Sequence, residues 1–204
     1  VIDKPGGMPV HPSQGHYENT LANAIAWYFR NEETPFVFRA VNRLDRDTSG
    51  LILLAKNPYS SCILSDAVKD HAIHREYAAV VSGKTADSGT IDLPIARKDG
   101  STIERVCDPE RGDAAVTHYQ TIAYNKDADL SFIRLLLETG RTHQTRVHMK
   151  AIGHPLPGDF LYCPDYRLID RQPLHSIYLS FSHPVTGKKL EFSAPLPQDM
   201  RNLF

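Results

Sequence analysis

Two carboxylates and two arginines lie close together in the segment from Asn42 to Gly50, which reads NRLDRDTSG. Asp45 stands between Arg43 and Arg46, and neighbouring positive charge keeps a carboxylate ionised. An ionised, oriented carboxylate can act as a nucleophile or a general base. The apolar run that follows predicts a buried strand, and loops at strand ends often carry catalytic groups. Asp45 is therefore a catalytic candidate; the alternative is that it caps a turn or pairs on the surface.

A second candidate segment, TGRTHQTRVH, runs from Thr139 to His148. Gly140 permits a tight turn after a strand, and the pattern then predicts that Arg141 and Arg146 enter a helix. An arginine at a helix start can fork to a carboxylate or a phosphate with fixed geometry. The alternative is a solvated, basic helix end.

The histidines and cysteines do not predict a metal site. There are ten histidines, but His143 and His148 are five residues apart, which does not place them on one helical face. No carboxylate stands at a recognisable ligand spacing to a histidine. The cysteines, Cys62, Cys107 and Cys163, form no CxxC pair, so the pattern indicates neither a thiolate zinc site nor a disulfide framework.

Other enzyme classes lack their sequence signatures. The chain has no GxSxG element, and Ser49 in DTSGL leads into a strand rather than from a strand into a helix. GxGxxG and Walker sequences are also absent, which argues against a nucleotide cofactor.

Composition is that of an ordinary globular protein: 204 residues, 41% hydrophobic, 23% charged, net charge -1. No apolar run is long enough to predict a membrane span, and we expect a cytoplasmic protein. The chain starts at Val1 without a methionine, so we expect the first strand to be incomplete. Because the net charge is close to zero, any contact to a nucleic acid has to come from local clusters of Arg and Lys.

The coarse pattern predicts one α+β domain over residues 1–204. Helices are predicted over 21–31, with Thr20 as N-cap, over 60–69 and over 143–153, and strands over 50–55 and 76–82. Three runs, 91–100, 114–124 and 130–140, are predicted to be successive strands of one sheet, and 174–184 with 188–197 a β-hairpin.

Five ordered segments together resemble one family: DKPGGMPVHPS, RLDRDTSGLILLAK, REYAAVVSG, LLLETGRTHQTRVHMKAIGHPLPGD and LHSIYLSFSHPVTGKKLEFSAPLP. They are similar to the RluA-type pseudouridine synthases and span essentially the whole chain. The resemblance implies a mixed, mostly antiparallel β-sheet core with flanking helices and a central catalytic cleft. It also implies isomerisation of uridine to pseudouridine in ribosomal or transfer RNA by a monomer, without a metal or an organic cofactor.

The resemblance also implies roles for individual residues. Asp45 matches the family's essential aspartate, and Tyr77 matches a tyrosine that lies against the target base. Arg146 matches an arginine that pairs with the catalytic aspartate. Arg43 matches a residue that helps to displace the target nucleotide from its stack. Two residues of the second segment are further candidates for RNA or structural contacts, namely Arg141 and His143.

One position departs from the family pattern. Asn42 stands where the family usually has histidine; it can form hydrogen bonds but does not titrate near neutral pH. Because Asp45 carries the chemistry, we expect the change to be tolerated. We expect no small RNA-binding S4 domain within this chain.

The sequence leaves open how Asp45 reacts with the nucleoside, and it leaves two alternative functions. Asp45 can attack the sugar C1′, add to C6 of the ring or remove a sugar proton. The alternatives to an active synthase are an RNA-binding module without activity and a metal-dependent hydrolase that uses the histidines.

Overall fold

The computed structural model describes residues 1–13, 15–31 and 36–204, and they form two compact units. Unit 1 comprises Val1–Arg75 and Ser176–Pro195, and unit 2 comprises Glu76–His175 and Leu196–Phe204. The single catalytic domain over residues 1–204 stays a prediction. No helix in the described part of the chain combines the length and apolar character needed to cross a membrane.

The elements are as follows in chain order. The strands are β1 (Ile2–Lys4), β2 (Ser49–Ile52), β3 (His74–Ser82), β4 (Ser88–Asp92), β5 (Ile95–Arg97), β6 (Arg105–Cys107), β7 (Val116–Asn125), β8 (Leu130–Leu137), β9 (Leu174–Ser182) and β10 (Lys189–Ser193). The helices are α1 (Leu21–Tyr28), α2 (Pro58–Lys69), α3 (Gln144–Ala151) and α4 (Gln198–Arg201).

Unit 1 is built on the strands that flank the Asp45 segment. β1 pairs antiparallel with β2, and β9 forms the predicted antiparallel hairpin with β10. Every residue of β2 is buried, as its apolar sequence predicts. The core of this unit joins β2, α2 and the hairpin through Leu51, Leu64, Leu179 and Phe181.

Both helices of unit 1 begin at side-chain caps. The Oγ1 of Thr20 accepts a hydrogen bond from the amide of Asn23, whose Oδ1 in turn accepts from the amide of Thr20. This reciprocal cap confirms the predicted start of α1. Asn57 caps α2 in a similar way, because its Oδ1 accepts from the amide of Ser60.

Unit 2 is an antiparallel sheet in the order β3-β8-β7-β4. The prediction that residues 91–100 form one strand of this sheet is wrong beyond Asp92. Pro94 has no N–H to donate to a ladder, and the sheet pairing ends before it. The following residues, β5, pair instead with β6 in a separate two-stranded sheet that the sequence did not predict.

Helix α3 begins one residue later than predicted. His143 has a left-handed backbone, with φ of 58°, and precedes the helix as its N-cap residue. At the other end, Gly153 has φ of +85°, and its amide bonds the carbonyl of Lys150. This glycine end is the predicted helix stop. The whole arrangement confirms the α+β class with a mostly antiparallel core.

Candidate active site

The two carboxylates of the Asp45 segment have different surroundings in unit 1. Arg46 donates to both carboxylate oxygens of Asp47, from Nε and Nη2, each at 2.9 Å. Asp47 is 8% exposed, whereas Asp45 is half-buried. The carbonyl of Asp45 accepts from the amide of Thr48 at 3.2 Å, which closes a turn. Asp47 therefore stabilises the loop, and Asp45 is the more accessible of the two carboxylates.

The side chain of Lys4 holds the backbone of this loop. The sequence did not predict this role. Its side chain is fully buried at the end of β1, and Nζ donates to the carbonyls of Pro5, Met8 and Arg46 at 2.8, 2.9 and 2.9 Å. The Arg46 carbonyl belongs to the residue next to Asp45. A buried ammonium that donates to three carbonyls satisfies its donors and fixes the backbone that supplies them.

Replacement of Lys4 by methionine is expected to lower the free energy of unfolding by about 3 kcal/mol, because three carbonyls lose the hydrogen bonds of a buried ammonium. Turnover should fall as well, since the Asp45 loop loses its anchor. Urea denaturation measures the first effect. Lys69→Met is the matched control: Lys69 is 75% exposed in its side chain, and its loss should leave stability near wild type. Equal stability of the two variants would contradict the anchoring role.

Asn42 has a structural role in this chain. It is 4% exposed, and its Oδ1 accepts from the amide of Leu53 at 2.7 Å. Its Nδ2 is buried without a hydrogen-bond partner among the described residues. The side chain thus ties the start of the Asp45 segment to the residue that follows β2. This bond requires an acceptor, and it does not require a group that titrates.

In unit 2, Arg146 and Asp159 form a buried ion pair. The Nε and Nη2 of Arg146 donate to the two carboxylate oxygens of Asp159 at 2.6 and 2.7 Å. The side chains are 1% and 0% exposed. A bidentate geometry of this kind offsets much of the cost of burying both charges and fixes the plane of the guanidinium.

Backbone amides and two aromatic rings surround this ion pair. Oδ1 of Asp159 also accepts from the amides of Leu161 and Tyr162 at 3.0 and 3.2 Å. The guanidinium carbon of Arg146 lies 5.0 Å from the ring centroid of Tyr162 and 5.5 Å from that of Phe160. Ring faces at this distance attract a cation. The orientation of the Arg146 guanidinium is therefore fixed by the Asp159 carboxylate and by two rings.

Gln144 fixes the loop that precedes α3. Its Oε1 accepts from the Thr139 hydroxyl and the Arg141 amide at 2.8 and 2.9 Å, and its Nε2 donates to Val116 and Thr117 of β7, each at 3.0 Å. Arg141 itself lies before the helix rather than within it, which corrects the expectation for this residue. Its exposed side chain donates from Nε to the carbonyl of Ala114 at 3.0 Å.

His143 also has a partner within unit 2. Its Nδ1 lies 2.9 Å from the hydroxyl of Tyr162. Because that hydroxyl accepts from the amide of Arg105, its own proton can be donated to Nδ1. The half-buried ring of His143 therefore helps to join the start of α3 to Tyr162 and to β6, beside any contact it makes to RNA.

His148 is fully buried and acts within the unit 2 core. Nε2 lies 2.9 Å from the carbonyl of Leu93, and Nδ1 lies 2.9 Å from the hydroxyl of Thr117. The carbonyl can only accept, so Nε2 carries the proton and Nδ1 accepts from the hydroxyl. Burial lowers the pKa of His148 below its ordinary value of 6.5. The residue is therefore a neutral structural histidine.

This burial predicts a loss of stability in acid. Below pH 6.5 the unfolded chain binds a proton at His148 that the folded chain excludes, so the free energy of unfolding falls as the pH drops from that value. His148→Gln cannot titrate, and its stability should fall less steeply between pH 7 and pH 5. Urea denaturation across this range measures both slopes. Identical slopes would show that His148 contributes nothing to the acid sensitivity.

Tyr77 lies within β3, opposite Leu135 of β8, and is 5% exposed. The predicted site residues are thus distributed over both units. Arg43 and Asp45 share one loop of unit 1, with Arg43 exposed. The members in unit 2 are Tyr77, Arg141, His143 and Arg146. Their predicted roles in catalysis and RNA binding stay predictions. In the described ranges, no three His, Cys, Asp or Glu side chains come together as a metal site would require.

Comparisons with known proteins identify the family. The sequence profile described as RNA pseudouridylate synthase matches residues 1–151. The chain is 46% identical over its full length to the uncharacterized RNA pseudouridine synthase YjbO of Bacillus subtilis, covering 71% of that protein. It is 42% identical to ribosomal large subunit pseudouridine synthase D of Zymomonas mobilis, with 100% of this chain and 68% of that protein covered.

A solved structure gives the same result. Human RNA pseudouridylate synthase domain containing 1 superposes with a TM-score of 0.79 at 25% identity, over 96% of this chain and 78% of that one. The RluA-type resemblance and the fold class are thereby confirmed. The chain belongs to the RNA pseudouridylate synthase family, the isomerases that convert uridine to pseudouridine in RNA.

Proposed function

We propose that the chain isomerises specific uridines of ribosomal RNA and that Asp45 is the carboxylate that reacts with the nucleoside. The reaction breaks the N1–C1′ bond and joins C5 of the uracil to C1′; C5 then loses its proton and N1 gains one. The single observation that carries the assignment of Asp45 is the contrast within its loop. Asp47 is 8% exposed, whereas Asp45 is half-buried, in a backbone turn whose next carbonyl is held by Lys4.

Two arginines assist in this proposal. A target inside folded RNA has to leave its stack, at a cost of a few kcal/mol. Arg43 is exposed two residues before Asp45 and is suited to occupy the vacated space or hold a phosphate. In this proposal the guanidinium of Arg146 orients the carboxylate of Asp45. Its support is the fork to Asp159, which engages Nε and Nη2 and directs the remaining terminal nitrogen, Nη1, along a fixed line.

Tyr77 provides the surface for the uracil in this proposal. Tyr77→Phe keeps the ring and loses only the hydroxyl, so RNA affinity should stay within about twofold of wild type. Filter binding with a catalytically silent Asp45→Asn background measures affinity without turnover. Turnover is measured separately, in Tyr77→Phe with Asp45 intact. If that reaction stops after cleavage of the N1–C1′ bond, the hydroxyl has a proton-transfer role. A tenfold loss of affinity would contradict the contact through the ring.

The support for a ribosomal substrate is the name of the relatives. Several proteins about 40% identical to this chain are named ribosomal large subunit pseudouridine synthase D. Carbodiimide-based mapping of total RNA from cells with and without the gene tests the assignment. Loss of one or more signals in large-subunit ribosomal RNA is the expected result. Loss confined to transfer RNA would move the substrate to that class, and an unchanged map would contradict the function.

We propose further that the protein acts as a cytoplasmic monomer without a metal or an organic cofactor. The chemistry requires a carboxylate, a surface that orients the uracil and a cation, and Asp45, Tyr77 and Arg146 supply them in this proposal. Activity that survives dialysis against a chelator is the expected result. A hydrolase that uses the histidines would instead lose its activity.

A further inference from the structure

Helix α1 in unit 1 leaves most of its apolar surface uncovered. Leu21 is its only buried residue, while Trp27 and Tyr28 are 66% and 71% exposed. Isolated exposed aromatic residues are common, but a contiguous group of them marks an interaction surface. Here Tyr28, Phe29 and Phe36 contact one another in turn, and Trp27 adjoins this group in the sequence. We call it the α1 patch, and it consists of Trp27, Tyr28, Phe29, Arg30, Phe36 and Lys56.

Contacts between rings and cations hold the α1 patch together. Phe29 stacks on Phe36 with ring centroids 4.5 Å apart, and Tyr28 meets Phe29 edge-on at 5.0 Å. The guanidinium carbon of Arg30 lies 3.9 Å from the Trp27 ring centroid, and Arg30 also donates to the Trp27 carbonyl at 2.9 Å. Arg30 covers one face of the indole, and the large exposed fraction of Trp27 shows that the rest stays open to a ligand.

Two cations lie against rings of the α1 patch, although the chain as a whole is not positively charged. The guanidinium of Arg30 lies over Trp27, and the Nζ of Lys56 lies 5.2 Å from the Phe29 ring centroid. The net charge of the chain is -1. A local excess of Arg and Lys beside exposed rings is the combination that single-stranded RNA recognises: phosphates meet the cations and bases stack on the rings.

The α1 patch is continuous with the Asp45 loop along the chain. Residues 39–41 bridge to the extension of β2, through Val41 to Leu53 at 2.8 Å and Ala55 to Arg39 at 2.9 Å. Asp45 lies nine positions after Phe36 in the chain, so the two residues are at most about 30 Å apart. About nine stacked nucleotides of one strand span that maximal distance. An RNA whose target uridine lies at Asp45 therefore has flanking nucleotides long enough to reach the α1 patch.

We infer that the α1 patch binds a single-stranded segment of the substrate RNA that flanks the modified uridine. The inference rests on the proposed function in taking Asp45 as the position of the target. It adds a second contact, outside the reacting residues, that acts through base stacking and phosphate pairing and raises affinity for substrates with an unpaired flank.

Trp27 is the only tryptophan of the chain, so its fluorescence reports on this surface alone. Titration of the full chain with a 20-nucleotide single-stranded RNA of mixed sequence should quench its emission. A hairpin of the same composition should quench it far less. In filter binding, which does not depend on tryptophan emission, the variant Trp27→Ala, Tyr28→Ala should bind the single-stranded RNA about tenfold more weakly, as expected for lost stacking. Tyr166→Ala removes a 48% exposed tyrosine in unit 2 and is the matched control.

Pseudouridine formation separates this inference from the proposed function. With a mapped substrate, the Trp27→Ala, Tyr28→Ala variant should show a raised KM and an unchanged kcat. Arg30→Gln with Lys56→Gln provides a second variant and should weaken the salt dependence of binding.

The inference alone would be overturned if the wild-type protein is active, its fluorescence is not quenched by RNA and the KM is unaltered in both variants. Loss of self-association in the aromatic variant, with unchanged RNA binding, would also overturn it and assign the patch to a second copy of the chain. An inactive wild-type protein would contradict the proposed function instead.

Discussion

Asp45→Asn should reduce pseudouridine formation by more than about a thousandfold, because the amide can neither attack carbon nor accept the proton that a carboxylate accepts. RNA binding should persist, since the substitution preserves the shape of the side chain and leaves Arg43 and Arg146 in place. Release of tritium from RNA labelled at C5 of uridine measures turnover, and filter binding measures affinity.

Asp47→Asn is the matched control for this prediction. It makes the same substitution two residues later in the same loop, at a carboxylate held by Arg46. Its expected effect is on stability, and turnover measured well below the melting temperature should remain. Equal losses of turnover in the two variants would show that any damage to the loop stops the reaction. Full activity of Asp45→Asn would remove Asp45 from the chemistry.

Arg146→Ala should lower the free energy of unfolding by about 3 to 5 kcal/mol, since it leaves the Asp159 carboxylate buried without its partner. Turnover should also fall, because the proposed partner of Asp45 is lost. Arg141→Ala makes the same deletion five residues earlier, at an exposed side chain whose distance to Asp113 is 3.8 Å. Its loss of stability should stay below about 1 kcal/mol. Equal effects of the two changes would contradict the role given to Arg146.

A double-mutant cycle isolates the ion pair from other effects of truncation. Because Arg146 and Asp159 share one buried contact, the doubly substituted Arg146→Met, Asp159→Leu variant should be less destabilised than the sum of the single changes. Strict additivity would show that the two side chains act independently. If a single variant fails to fold, the double variant and Arg146→Lys still report on the pair.

Local signals explain why several elements could be predicted. Thr20 before an apolar helical repeat predicted the start of α1, and Gly153 predicted the end of α3. Both depend on residues adjacent in sequence. The resemblance similarly pointed to Asp45 and Arg146, and the structure gives each of them a distinct setting: a half-buried loop carboxylate and a buried, forked guanidinium.

Residues whose partners lie far along the chain were not predicted. Lys4 donates to a carbonyl 42 positions away, and backbone acceptors leave no mark in a sequence. Asp159 ends the segment that begins LLLETGRTHQ, but its role as the ion-pair partner of Arg146 is visible only in the structure. His143 was predicted inside α3, although its left-handed backbone excludes it from the helix. β1 reads IDK, so Lys4 carries no sequence signal of burial, since a lysine is rarely buried.

RNA from cells that lack the gene gives the most direct test of uridine isomerisation through Asp45. The purified protein is incubated with that RNA, and pseudouridine is mapped before and after. Wild-type protein is expected to restore the signals missing from those cells, at the same positions, and Asp45→Asn is expected to restore none. Restoration by Asp45→Asn at the wild-type rate, or no restoration by the wild-type protein, would contradict it.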